Sequence, residues 1–169
     1  MTDKERYINR MWRMARIIPL GGVLPSVLIA QSALESAWGS SNVCKNTNNY
    51  FGITKGSSWK GETYTAGTGY VFRKYRSQRH SVKDYVKLIN SQLYANVNIQ
   101  KTYCDQAKAL TKTSYSGGDS FYGNKIISII ETYNLQKYDV FYRIQLWTFG
   151  IIAFVFLLLS IYILTKKNK

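Results

Sequence analysis

The sequence predicts an α+β domain followed by one membrane-crossing helix. Segments with apolar residues at helical spacing flank a glycine-spaced stretch rich in β-formers, from Tyr50 to Arg76. The chain has 169 residues, enough for one domain of ordinary size and an appendage. Its end supplies the appendage: Leu146 to Leu164 reads LWTFGIIAFVFLLLSIYIL, without a charge and long enough to cross a bilayer as one helix.

Each element has a local reason. Lys4 to Ile18 is amphipathic, with Tyr7, Met11, Met14, Ala15 and Ile18 on one side, and Gly21-Gly22 ends it. Pro25 suits the first turn of a second helix, which should run to about Trp38 and stop at Gly39. Ser40 to Asn49 reads as polar loop. Phe51-Gly-Ile, Glu62-Thr-Tyr-Thr and Tyr70-Val-Phe, separated by recurring glycines, read as a small irregular antiparallel sheet. Ser81-Val-Lys-Asp84 resembles a capping box and should open a helix with Val82, Tyr85, Val86, Ile89 and Leu93 at core spacing. Tyr103 to Lys112 and Phe121 to Tyr133 complete the helices. The order is two helices, a β lobe and three helices, with a cleft expected between lobes. The expected boundaries are a domain at 1–139, a juxtamembrane linker at 140–145, a membrane helix at 146–165 and a basic tail at 166–169. Trp147 and Tyr162 suit the two interfacial belts.

The N-terminal stretch is charged, and the apolar residues after it are broken by prolines and glycines, so no signal peptide is expected there. The expected location is a membrane, reached by a single C-terminal anchor. That membrane is the inner membrane of a host cell or the membrane of a lipid-containing virion.

The net charge is +14. Of 23 basic residues the tail holds three, which leaves 20 against nine acidic ones in residues 1–143. Such a domain is drawn to polyanions, whether nucleic acid, lipid headgroups or wall polymers. No Arg/Lys-rich run or nucleic-acid motif favours the first, so no nucleic-acid partner is expected. Cys44 and Cys104 lie far apart without metal-ligand spacing, and His80 is the only histidine. A multi-histidine zinc site is excluded, neither metal nor cofactor is expected, and two free thiols are the default.

Carboxylates are scarce. Of the nine, only Glu35 and Glu62 fall where an interlobe cleft would form. Glu35 lies in the last turn of an otherwise uncharged helix, where the negative end of the helix dipole disfavours ionisation. Trp38 at i+3 should lower its hydration further. A carboxyl group kept protonated near neutral pH is what a general acid needs to protonate a departing alkoxide. One acid at a helix end and one carboxylate on a β lobe is an arrangement used for glycoside hydrolysis.

The stretches Pro25-Ser-Val-Leu-Ile-Ala-Gln-Ser-Ala-Leu-Glu35-Ser-Ala-Trp-Gly39, Asn48-Asn49-Tyr50-Phe51-Gly52-Ile53 and Phe72-Arg73-Lys-Tyr75-Arg-Ser77 together resemble glycoside hydrolase family 73. These are the endo-β-N-acetylglucosaminidases of autolysins, flagellar rod-assembly hydrolases and phage lysins. The likeness extends to Tyr122-Gly-Asn-Lys125 and Tyr138-Asp139. It implies a lysozyme-like α+β fold, peptidoglycan glycan strands as partner and substrate, and Glu35 as the general acid. Asn49, Phe51 and Gly52 match the family's cleft-floor loop. Of two tyrosines near the sugar segment, Tyr115 is taken as catalytic, because its Gly-rich loop can face the cleft, and Tyr122 as substrate-binding. Trp38 and Tyr70 are candidate stacking platforms for sugar rings. Glu62 stands near the start of a short β lobe, earlier than the family's second glutamate. It is either the base that activates water or an exposed strand residue, and in the second case the substrate's own 2-acetamido group can attack. A lytic transglycosylase with a single acid, and a silent glycan-binding protein of the same fold, are the alternatives. The lysin of a phage fits the anchor best.

Overall fold

Pro25 has no N–H to leave unsatisfied and a preset φ, so it starts the helix around which the domain is built. In the computed structural model, which describes residues 1–167, this helix α2 spans Pro25–Ser36 and is buried along nearly its whole length. α1 (Asp3–Ala15), capped by a reciprocal Thr2–Glu5 box, packs on it through Tyr7, Ile8 and Met11. α3 (Asn42–Thr47) is a short helix in the segment expected to be loop. It is too brief for a 3.6-residue period to show in the sequence.

The β lobe is a two-stranded antiparallel hairpin, β1 (Thr63–Thr65) and β2 (Val71–Arg73), with Tyr64 opposite Phe72. Asn49 knits it together: its amide nitrogen donates to the Ile53 carbonyl at 2.8 Å and the Arg73 carbonyl at 2.9 Å. Its Oδ1 accepts from the Ile53 N–H.

α4 (Gln78–Ile89) begins a turn earlier than expected. Ser81 is not its cap: it is buried within the helix, where its Oγ accepts from the Tyr50 N–H. Asp84 instead accepts from Arg73 (2.8 Å) and from the Tyr75 hydroxyl (2.7 Å), which ties the hairpin to the helix. Leu93, expected in the core, is 71% exposed because the chain leaves the helix at Asn90 for a 3-10 turn, Gln92–Tyr94. Then follow α5 (Ala95–Asn98), α6 (Tyr103–Thr111) and, after a second 3-10 turn at Ser114–Ser116, α7 (Tyr122–Thr132). α7 lies close on α6 because Gly123 faces it. A Cβ there would stand 2.6 Å from the Ala107 carbonyl oxygen, and the Gly123 N–H donates to Thr111 Oγ1. Cys44 and Cys104 are free, and burial pushes the Cys44 thiol up to about 11.

The largest departure from expectation is at the end. α8 (Gln136–Lys167) is one continuous helix, so residues 140–145 are not a separate linker. Its first turns belong to the domain. Trp12 and Tyr138 pack with ring centroids 4.8 Å apart, the Tyr142 hydroxyl accepts from the Leu20 N–H, and Gln145 donates to the Arg16 carbonyl. Asp139 reaches across to the start of α2, which has no side-chain cap of its own. Its two carboxylate oxygens accept from the Ser26 N–H (2.8 Å) and hydroxyl (2.6 Å). Asp139→Ala should therefore destabilise the fold by about 1–3 kcal/mol, read by urea unfolding of the full chain in detergent. Beyond these turns α8 is exposed and apolar, and by length and composition it can cross a bilayer. Asn168, Lys169 and the side chains of Tyr162 and Lys167, which hold one expected belt and part of the tail, lie outside the described residues.

Candidate active site

The site forms where α2 ends against the Asn49–Ile53 loop and α7. α2 closes with Ala37 and Trp38 both left-handed (φ 49° and 58°), followed by Gly39 at φ 81°. Two such non-glycine residues in a row are strained. Ser36 holds the reversal: its hydroxyl donates to the Ser32 carbonyl (2.6 Å) and accepts from the Gly39 N–H (2.8 Å), with the Tyr7 hydroxyl 3.1 Å away.

Glu35 is left half-buried in the last turn. The Tyr122 hydroxyl donates to its Oε1 at 2.5 Å. On the other side lies Gly52, φ +61°, where a Cβ would stand 3.1 Å from Glu35 Oε2. Any side chain there would crowd the carboxylate and be forced into the left-handed region. Burial raises the Glu35 pKa above its ordinary 4.5, and the Tyr122 hydrogen bond opposes it only in part.

Behind Tyr122 runs a buried relay. The Tyr85 hydroxyl donates to Gln31 Oε1 (2.6 Å), and Gln31 Nε2 donates to the Tyr122 oxygen (2.9 Å). Tyr122 in turn donates to Glu35. Burial, together with the charge of Glu35, pushes the Tyr122 and Tyr85 hydroxyls up, so both stay neutral donors. Neither residue had been given this part by the sequence. Gln31 stands four residues before Glu35 on one helix face, and that spacing was the available signal.

The residues singled out in the sequence separate into two groups. Glu35, Gly52 and Tyr122 touch. Tyr115 stands one layer back: its hydroxyl donates to the Phe51 carbonyl and its ring lies 6.4 Å from that of Tyr122. The contact to the acid is thus made by Tyr122 and not by Tyr115, because the buried face of α7 is the face turned to Glu35. Phe51 is fully buried and stacks on Tyr85 at 3.9 Å, and Asn49 is buried in the hairpin's hydrogen bonds. Both side chains are framework, so their expected contact with sugar is not available. Trp38 has left the helix face of Glu35 and packs edge-on to Tyr7 and Tyr133, with the Lys4 ammonium 5.1 Å from its ring centre. Tyr70, 65% exposed, sits at the hairpin tip near Phe72. Glu62 is exposed and held by Lys74 at 2.8 Å, which lowers its pKa.

Tyr122→Phe removes the donor that favours ionised Glu35. The raised pKa should rise further, and the basic limb of the pH–rate profile should move to higher pH with a severalfold lower kcat. Rates measured across pH check both.

A half-buried, hydrogen-bonded carboxylic acid at a helix end, beside a small β lobe in a mostly helical domain, is the arrangement in which glycoside hydrolases of lysozyme-like fold hold their general acid. Residues 17–135 match the glucosaminidase family model, described as mannosyl-glycoprotein endo-beta-N-acetylglucosaminidase, and the chain belongs to that family. It is 37% identical over 134 residues to exo-glucosaminidase LytG of Bacillus subtilis, covering 69% of this chain and 46% of LytG. To peptidoglycan hydrolase FlgJ of Salmonella typhimurium it is 31% identical over 146 residues, 76% of this chain and 46% of FlgJ. The solved glycoside hydrolase domain of that FlgJ superimposes with a TM-score of 0.65 at 27% identity, covering 90% of this chain and 99% of that one. The catalytic domain of the autolysin Auto of Listeria monocytogenes gives 0.66 at 29% identity, covering 82% and 88%. The chain spans about half the length of LytG and FlgJ.

Proposed function

We propose that this chain is a membrane-anchored peptidoglycan hydrolase that cleaves β-1,4 bonds at N-acetylglucosamine, with Glu35 as general acid. The observation that carries it is the setting of Glu35, a carboxyl group desolvated on one side and held by a neutral tyrosine hydroxyl on the other. The names of LytG, an exo-glucosaminidase, and FlgJ, a peptidoglycan hydrolase, support the substrate. The long apolar helix α8 supports the anchor. Use in phage entry or host lysis is the narrower form of this reading, and the three relatives named above, which come from bacteria, lend it no support.

In this reading protonated Glu35 gives its proton to the glycosidic oxygen as the bond to the anomeric carbon breaks. The 2-acetamido oxygen of the same sugar attacks that carbon, and Glu35, now ionised and stabilised by Tyr122, takes a proton from the water that follows. Glu62 is left out of the first step because Lys74 holds its carboxylate in solvent. Glu62→Gln should change the rate of peptidoglycan clearing less than about threefold, whereas a loss like that expected for a general base, ~10²-fold or more, would make Glu62 the base.

Among the described residues the side-chain hydrogen bond to Glu35 comes from Tyr122 and not from a second carboxyl group, so the alternative kept beside the proposal is a transglycosylase, in which the sugar's own hydroxyl is the nucleophile. Mass spectrometry of digested peptidoglycan separates the readings. Reducing-end N-acetylglucosamine supports the proposal, reducing-end muramic acid makes the enzyme a muramidase, and an anhydro sugar makes it a transglycosylase. Intact strands leave a silent glycan-binding protein.

A further inference from the structure

α8 leaves the domain beside two hollows that share Arg143 and Leu146, one bordered by charged side chains and one almost wholly apolar. The first, about 520 Å³, lies between the Gly21–Pro25 turn, the Asn98–Lys101 loop and the start of α8. Its backbone rim is already satisfied: Gln106 accepts from the Leu24 N–H and donates to the Gly22 carbonyl, and both oxygens of Asp139 are taken by Ser26. The charged side chains that line it are Lys101 and Arg143, both exposed and neither ion-paired among the described residues, and the Asp139 carboxylate. Ser26 holds that carboxylate and the Arg143 charge stabilises it, so that one positive charge is left over. The second, about 420 Å³, runs down α8 along Leu146, Trp147, Gly150, Ile151 and Phe154. The space beside Gly150 is empty, since a Cβ there would meet nothing within 4 Å.

A cationic hollow at the edge of the apolar segment, continued by an apolar groove along the same helix, has the two-part chemistry of a phospholipid. Lys and Arg beside a membrane helix attract anionic headgroups, and a tryptophan one residue into the apolar run sits at headgroup level. The hollow also has a fixed shape, because Tyr142 and Gln145 bind the first turns of α8 to the Arg16–Leu20 segment. We propose that this junction is a binding site for one anionic phospholipid, with Lys101 and Arg143 on its phosphate and an acyl chain along Trp147, Gly150 and Phe154. The site rests on the reading that α8 enters a bilayer. It would fix the height and tilt of the catalytic domain over the membrane instead of leaving it on a free tether.

The test is native mass spectrometry of the full chain released from vesicles of equal phosphatidylglycerol and phosphatidylcholine. The wild type should retain phosphatidylglycerol over phosphatidylcholine by about tenfold, from two cations near the surface offset in part by the Asp139 carboxylate. Lys101→Gln with Arg143→Gln should bring the ratio near one. Lys83→Gln with Lys87→Gln, the same charge change on the exposed face of α4, should leave it unchanged. A wild type without preference, or equal losses in both double variants, overturns the site while leaving the anchor intact. A chain that floats free of vesicles overturns the anchor and the site together.

Discussion

Glu35→Gln is expected to slow clearing of purified peptidoglycan about a thousandfold, within the range that a general acid contributes. Glutamine keeps the size of the side chain and its capacity to accept the Tyr122 hydrogen bond, so the loss reads the proton and not the packing. The same substitution should change stability in a direction that identifies the cause. The folded pKa of Glu35 is raised above its ordinary 4.5 by burial. A group raised in this way stabilises the fold below the unfolded pKa, and that contribution is lost as pH rises through the folded value. The variant should therefore gain stability relative to the wild type at neutral pH, with the gap closing below pH 4.5. Urea unfolding at several pH values measures this. A variant that is inactive and also less stable at every pH would point to a damaged fold instead.

Gln31→Leu should have the second largest effect, on stability as well as rate. Gln31 is fully buried and joins two tyrosine hydroxyls. Leucine fills similar space but leaves the Tyr85 hydroxyl without an acceptor in a dry core, at a cost of about 1–3 kcal/mol. Tyr122 also loses the donor that polarises its hydroxyl, so its bond to Glu35 weakens. The basic limb of the rate profile should move to higher pH, in the same direction as for Tyr122→Phe and by less. Gln31→Glu tests the relay differently: it keeps an acceptor for Tyr85 but can bring a second negative charge near Glu35, and it should raise the Glu35 pKa by repulsion.

Much of this molecule was legible in the chain itself, because its strongest signals are periodic or compositional. The uncharged run from Leu146 read as a helix long enough to span a membrane, and the Pro25 start and the glycine-spaced hairpin followed from backbone chemistry. What was not legible depends on how side chains meet across the fold. The i+3 spacing made Trp38 a neighbour of Glu35, but the helix ends at Ser36 and two left-handed residues carry the indole to Tyr7 and Tyr133. Periodicity assigned Tyr122 to a buried helix, and it is that burial which brings its hydroxyl to the acid. Ser81 and Asp84 had the spacing of a cap, while tertiary contacts gave one to Tyr50 and the other to Arg73 and Tyr75. The linker expected at 140–145 reads as polar and apolar by turns, and only the partners of Tyr142 and Gln145 reveal it as docked helix.

The central claim is that this fold keeps the Glu35 carboxyl protonated where an ordinary carboxyl would ionise. The most direct measurement is an NMR titration of the Glu35 side-chain carboxyl carbon in the full chain held in detergent micelles. The account predicts a midpoint above the ordinary 4.5, moving higher in Tyr122→Phe. A midpoint at or below 4.5, unmoved by Tyr122→Phe, would contradict it.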